Sequence, residues 1–96
     1  MLRTALVLIL ALSGPAAATQ EYILPTLFDV TGVAADDVLN IRAEPNAGAA
    51  IIGALAPDAT AIEVVEERQG WARVNAGEGS GWVSARYLAY RTDVWQ

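Results

Sequence analysis

Asn40, Arg42 and Glu44 alternate with Leu39, Ile41 and Ala43 along one short run. In an extended chain that spacing sets an amide, a guanidinium and a carboxylate in a row on one face. Such a row suits a peptide ligand, because amides pair with a peptide backbone and a guanidinium forks onto a carboxylate. The competing role for Arg42 is internal: a pairing with Glu44 or another acid that pins the following loop. Three aromatic residues come later. Trp71 lies opposite Ala72 and Val74 in strand parity and Trp82 lies opposite Val83, so both indoles are expected on the outer face, with Tyr87 in a short segment just beyond. Rings with a polar edge favour half-wet grooves, where they bury much area at small entropic cost. The alternatives are structural, with each indole closing over a sheet edge and the Tyr87 hydroxyl bonding a neighbouring backbone group. Trp71, Trp82, Tyr87, Asn40 and Arg42 form the candidate ligand-binding set.

Other chemistry is poorly supplied. The chain has no Cys and no His, so the usual nucleophile–base pairs cannot be built. Ser80 and Ser84 have no lysine to activate them. The adjacent carboxylates Asp36-Asp37 and Glu66-Glu67 point apart on an extended chain and read as solvated surface. Residues 76–81 are Gly-rich but lack the Lys of a phosphate cradle, and read as a flexible hairpin loop. Zinc ligands and a calcium-loop pattern are absent from the sequence. No catalytic residue, metal or cofactor is expected. Glu63, Glu66 and Glu67 are expected to solubilise and protect an exposed strand; alternatively they attract amine-bearing peptides such as diaminopimelate-containing stems.

The 96 residues make one domain at most, and 54% hydrophobic content is that of a globular chain. Part of the apolar excess is concentrated at the start. Arg3 precedes an unbroken apolar run, Ala5 to Leu12, and Ser13-Gly14-Pro15 breaks it before Ala16-Ala17-Ala18. This is the pattern of a signal peptide over residues 1–18, cleaved after Ala18, and it is too short to span a bilayer. Cleavage would leave five arginines, no lysine and eleven acids, a net charge of −6. That balance disfavours nucleic acid and anionic lipid headgroups. An exported domain without cysteine has no disulfide to staple it, and must be held by its own core.

The elements that position the candidate residues are short strands. Residues 19–27 read as a lead-in of low order. Phe28 and Val30 share a face opposite Asp29 and Thr31, the alternation resumes at Val38 to Ala43, and Pro45-Asn46-Ala47-Gly48 ends it. Ile51 to Leu55 is a further strand and Pro57-Asp58 a turn. In Ala59 to Glu67, Ile62, Val64 and Glu66 fall on one side; Gln69-Gly70 turns the chain into Trp71 to Asn75. Trp82-Val83 is the last strand, followed by a helical turn, Ser84 to Leu88, capped by Ser84. Short strands punctuated by turns, with no long amphipathic helix, indicate a small all-β barrel over residues 28–89, with 90–96 as a tail.

Two stretches carry a family resemblance. Leu39-Asn40-Ile41-Arg42 at the opening and Gly81-Trp82-Val83-Ser84 with Tyr87-Leu88 at the close, with an Ile51–Leu55 strand and Gly70-Trp71 between them, resemble the bacterial SH3-like (SH3b) family. The resemblance implies an SH3-like barrel of five to seven short strands with one helical turn near its C-terminal end. It also implies binding rather than catalysis: recognition of peptidoglycan stem or bridge peptides in the cell envelope, or docking of an envelope protein partner. Asp58 stands where the family commonly has glycine, implying a different turn, and Ala72 replaces a common aromatic, implying less surface beside Trp71. A periplasmic or secreted binding module without stable membrane insertion is the expectation.

Overall fold

A computed structural model describes residues 21–77 and 79–92. The expected signal peptide lies outside the described residues, as does Trp95. Seven antiparallel strands form one sheet: β1 (Thr26–Val30), β2 (Leu39–Arg42), β3 (Ile51–Leu55), β4 (Ile62–Arg68), β5 (Trp71–Ala76), β6 (Gly79–Ser84) and β7 (Leu88–Tyr90). Their spatial order is β3-β2-β6-β5-β4-β1-β7. Phe28 and Val30 of β1 share one core with Leu39 and Ile41 of β2 and Leu55 of β3. Strands near opposite ends of the order meet in that core, so the sheet is curled on itself into a small barrel. Val64, Ala72, Val74 and Val83 fill its centre with no exposed surface.

The alternation sets most of this geometry. Thr26, Phe28 and Val30 point inward in β1, and Leu39 and Ile41 in β2, since successive side chains leave a strand on opposite faces. Burying these residues supplies the hydrophobic stabilisation that a domain without disulfides needs. Gln69 and Gly70 both have positive φ, 50° and 86°, as a two-residue type I′ hairpin requires. Ala59 N–H donates to Ala56 C=O at 3.1 Å across Pro57-Asp58, and Asp58 is not among the positive-φ residues. Glycine is therefore not demanded at that position.

Four local expectations are corrected. Strict alternation puts Glu66 on the core side with Val64, but the β4–β5 register shifts between Val64 and Glu66. Val65 is the extra residue of a bulge, and the shift turns Glu66 to the outer face opposite Arg73. Residues 76–81 are not one loop: β5 runs through Ala76 and β6 starts at Gly79. The lead-in is shorter than expected, because β1 begins at Thr26 while Tyr22 and Leu24 pack against the core. Tyr90 belongs to the barrel rather than a tail, since β7 pairs it with Phe28.

Gly81 shows how closely the sheet folds over. A Cβ there would clash with Ile41 Cγ2 and lie 3.0 Å from the Arg42 carbonyl oxygen. Only glycine allows β6 to pass β2 at this distance. The approach brings the end of β6 beside β2, where Arg42 pairs with Trp82.

Candidate ligand-binding groove

An open groove of about 410 Å³ collects residues from five parts of the chain, Ala47 of the β2–β3 loop among them. The β1–β2 loop contributes Gly32, Val33, Ala34, Asp37 and Val38; β2 contributes Asn40 and Arg42. Trp71 opens β5, and Ser84, Arg86 and Tyr87 come from the chain leaving β6. Trp71 and Ser84 are cross-strand partners, which fixes the indole beside the start of the 3-10 turn Ala85–Tyr87.

Each wall is held by backbone bonds. Thr31 N–H donates to the Tyr87 carbonyl at 2.8 Å, and Ala85 N–H donates to the Gly70 carbonyl at 2.9 Å. These two bonds dock the 3-10 turn on the β1–β2 loop at one end and on the β4–β5 hairpin at the other. Ser84 precedes the turn without a side-chain capping bond, so the expected cap is replaced by these tertiary bonds. Gly32 adopts φ 73° directly against the Tyr87 ring, a left-handed bend that most side chains resist. Asp37 Oδ1 accepts the Val38 N–H at 2.7 Å, which orders the far end of the loop.

Arg42 performs part of the internal role foreseen for it, with a different partner. It donates from Nη1 to the Ala49 carbonyl at 2.9 Å. Asn46 Oδ1 accepts Gly48 N–H in the same loop. The loop is thus pinned through a carbonyl rather than through Glu44.

Of the five candidate residues, Asn40, Arg42, Trp71 and Tyr87 line the groove, and Trp82 does not. Trp82 has the outer-face parity that its position suggested, since its partners are Arg73 and Arg42. It is nevertheless only 7% exposed, and the Arg68 guanidinium lies 5.0 Å from its ring centroid. Arg68 in turn is bound by Glu66 at 2.6 Å, and Arg73 approaches the other oxygen of Glu66 at 3.1 Å. Hydrogen bonds from Arg68 first and Arg73 second hold the Glu66 carboxyl below the usual glutamate range. The β4 bulge makes this cluster possible by placing Glu66 outward.

Ala72 does not narrow the groove beside Trp71. It faces the core with no exposed surface, on the opposite side of β5. Arg86 is a lining residue that the sequence did not single out, and Asp37, read from the sequence as solvated surface, also lines the groove. Arg86 lies over the Tyr87 ring at 5.2 Å, a placement set by the 3-10 turn and therefore invisible to strand parity.

A second concavity is lined by Tyr22, Phe28, Glu67, Leu88 and Tyr90. Two of its polar groups satisfy each other: the Tyr22 hydroxyl donates to Glu67 Oε2. Burial, reinforced by Glu67, pushes the Tyr22 hydroxyl up to about 12. Tyr22 also packs edge-on against Phe28 at 5.1 Å and beside Tyr90 at 5.0 Å, which fastens the residues preceding β1. Among the described residues no group of His, Cys, Asp or Glu is arranged to hold a metal. No helix among them is long and apolar enough to cross a membrane.

Comparison with known families matches the model of the bacterial SH3 domain to residues 37–89, more than half of the chain. Comparisons with curated proteins and with solved structures return no match.

Proposed function

The chain belongs to the bacterial SH3 domain family, and from that premise we propose that it is an exported, non-enzymatic module of the bacterial envelope that recognises peptidoglycan peptides. The observation that carries the reading is the convergence of Asn40, Arg42, Trp71 and Tyr87 on one open groove. An extended peptide laid there meets an amide and a guanidinium for its polar groups, and two partly exposed rings for its apolar ones. The basic, apolar and small-residue pattern of residues 1–18 supports export through a signal peptide.

Co-sedimentation with purified peptidoglycan tests this reading. Wild type is expected in the pellet, while folded Trp71→Ala and Arg42→Ala variants remain in the supernatant. Wild type left in the supernatant would overturn wall recognition.

A second reading, a periplasmic adaptor that docks a protein partner, is favoured by β3. This strand ends the spatial order and carries Ile51 and Ile52 at 55% and 56% exposure, with no charged residue between Pro45 and Asp58. An uncharged strand edge offers free backbone groups for strand addition. Capture of an envelope protein that is lost when Ile52 is replaced by Lys would favour the adaptor.

A further inference from the structure

The arginines among the described residues divide by their partners. Arg68 and Arg73 share Glu66, and Arg91 lies 3.6 Å from Asp29. Arg42 and Arg86 form no ion pair with a carboxylate among the described residues, and both line the groove. In a chain of net charge −5, the two uncompensated guanidinium groups have been brought to one concavity. The groove lining carries them against a single carboxylate, Asp37, whose Oδ1 already accepts a backbone N–H.

We infer that the groove selects an acidic peptide, whose carboxylate is held by Arg42 and Arg86 while its apolar part lies against Trp71 and Tyr87. This rests on the reading of the groove as a peptide site, and adds the charge of the ligand. A guanidinium has five N–H donors in a rigid fork. Arg42 commits one nitrogen to Ala49, which orients the group and leaves other donors for a ligand. Arg86 lies over the Tyr87 ring at 5.2 Å, a contact with the ring face that uses none of its N–H donors in an ion pair. A carboxylate adds Coulombic attraction and a two-oxygen fork to the hydrogen bonds that a neutral amide oxygen would accept from the same cations, so a carboxylate gains more from this pair than an amide does. A net positive lining disfavours an ammonium group at the same place.

The test uses protein purified from cells expressing the full chain, titrated by NMR with the stem peptide alanyl-γ-glutamyl-diaminopimelyl-alanine. The same peptide with its carboxylates amidated and inorganic phosphate are parallel probes. The free-carboxylate peptide is expected to bind roughly tenfold or more tightly than the amide, the value of one charge-assisted hydrogen bond. Arg86→Gln, at an exposed position, is expected to remove most of that difference without altering the fold. Arg42→Lys, which keeps the charge but not the fork, is expected to remove part of it. Equal affinity for acid and amide, an unchanged preference in Arg86→Gln, or phosphate binding as tight as the peptide would each overturn the inference.

Sacculi separate this inference from wall recognition. Equal sedimentation with native and carboxyl-amidated sacculi would leave wall recognition standing and remove the carboxylate. Acid-selective peptide binding without sedimentation would do the reverse.

Discussion

Two arginine–aromatic pairs lie on this small barrel at similar separations, Arg68 over Trp82 at 5.0 Å and Arg86 over Tyr87 at 5.2 Å. Their surroundings differ. Beside Trp82 the cation is neutralised by Glu66, which also engages Arg73, and the indole is buried. Beside Tyr87 neither Arg86 nor the nearby Arg42 has a carboxylate partner among the described residues, and the space in front of them is open. The same residue types thus make a closed structural patch in one place and an open polar groove in the other. What separates them is an acid within reach, and a single bulged residue, Val65, put it there.

The largest effect should come from truncating the two indoles in turn. Trp82→Ala removes a buried ring and is expected to cost about 3–5 kcal/mol. Trp71→Ala removes a partly exposed one and should cost about 1–2 kcal/mol while abolishing binding at the groove. Urea unfolding read beside a binding assay checks both. Comparable stability losses would erase the distinction between closed and open patches.

Gly81→Ala comes next. Its Cβ would strike Ile41 and the Arg42 carbonyl, at an expected cost of about 1–3 kcal/mol. By displacing β2 it should also weaken binding, although Gly81 does not line the groove.

Glu66→Gln sharpens the electrostatic side of the comparison. Arg68 and Arg73 lower the Glu66 carboxyl from its ordinary value of 4.5, so the folded state favours the ionised form. The resulting stabilisation is present above the unfolded value and is lost as pH falls through the lower folded one. Stability of the wild type should therefore decline with acid in a window starting near pH 4.5 and extending below it. In Glu66→Gln this part of the decline should be missing when unfolding is followed against pH.

The smallest effect belongs to Arg86→Gln. An exposed side chain without an acid partner should change stability by less than about 0.5 kcal/mol, and its acid profile should overlay that of wild type. A larger loss would make Arg86 a structural residue like Arg68.

Much of the groove was legible in residue order. Asn40, Arg42 and Trp71 reach the outer face because alternation on short strands leaves few other choices, and the buried positions of β1 and β2 agree with that parity. The same parity put Trp82 outside, correctly, but could not show that Arg68 would cover it. Which side chain lies over which ring depends on strands paired across the barrel, and parity along one strand carries no such information. Arg86 was missed because it belongs to a 3-10 turn, where alternation does not apply. Glu66 was turned the wrong way because a bulge is a property of two paired strands.

The sequence by itself determined most of the strands but not β7 or the start of β6, together with the inward positions of β1, β2 and β5, the Gln69-Gly70 hairpin and the family. These are local matters of side-chain period and of backbone conformations that few residues tolerate. The tertiary structure decided the Val65 bulge, the burial of Trp82 and the pairing of Arg68 and Arg73 with Glu66. It also decided the meeting of Arg42 with Arg86 across one groove. An ion pair or a covered ring needs two groups within a few ångströms, and which groups meet is set by strand register, by the bulge and by the curl of the sheet rather than by the order of residues along one strand.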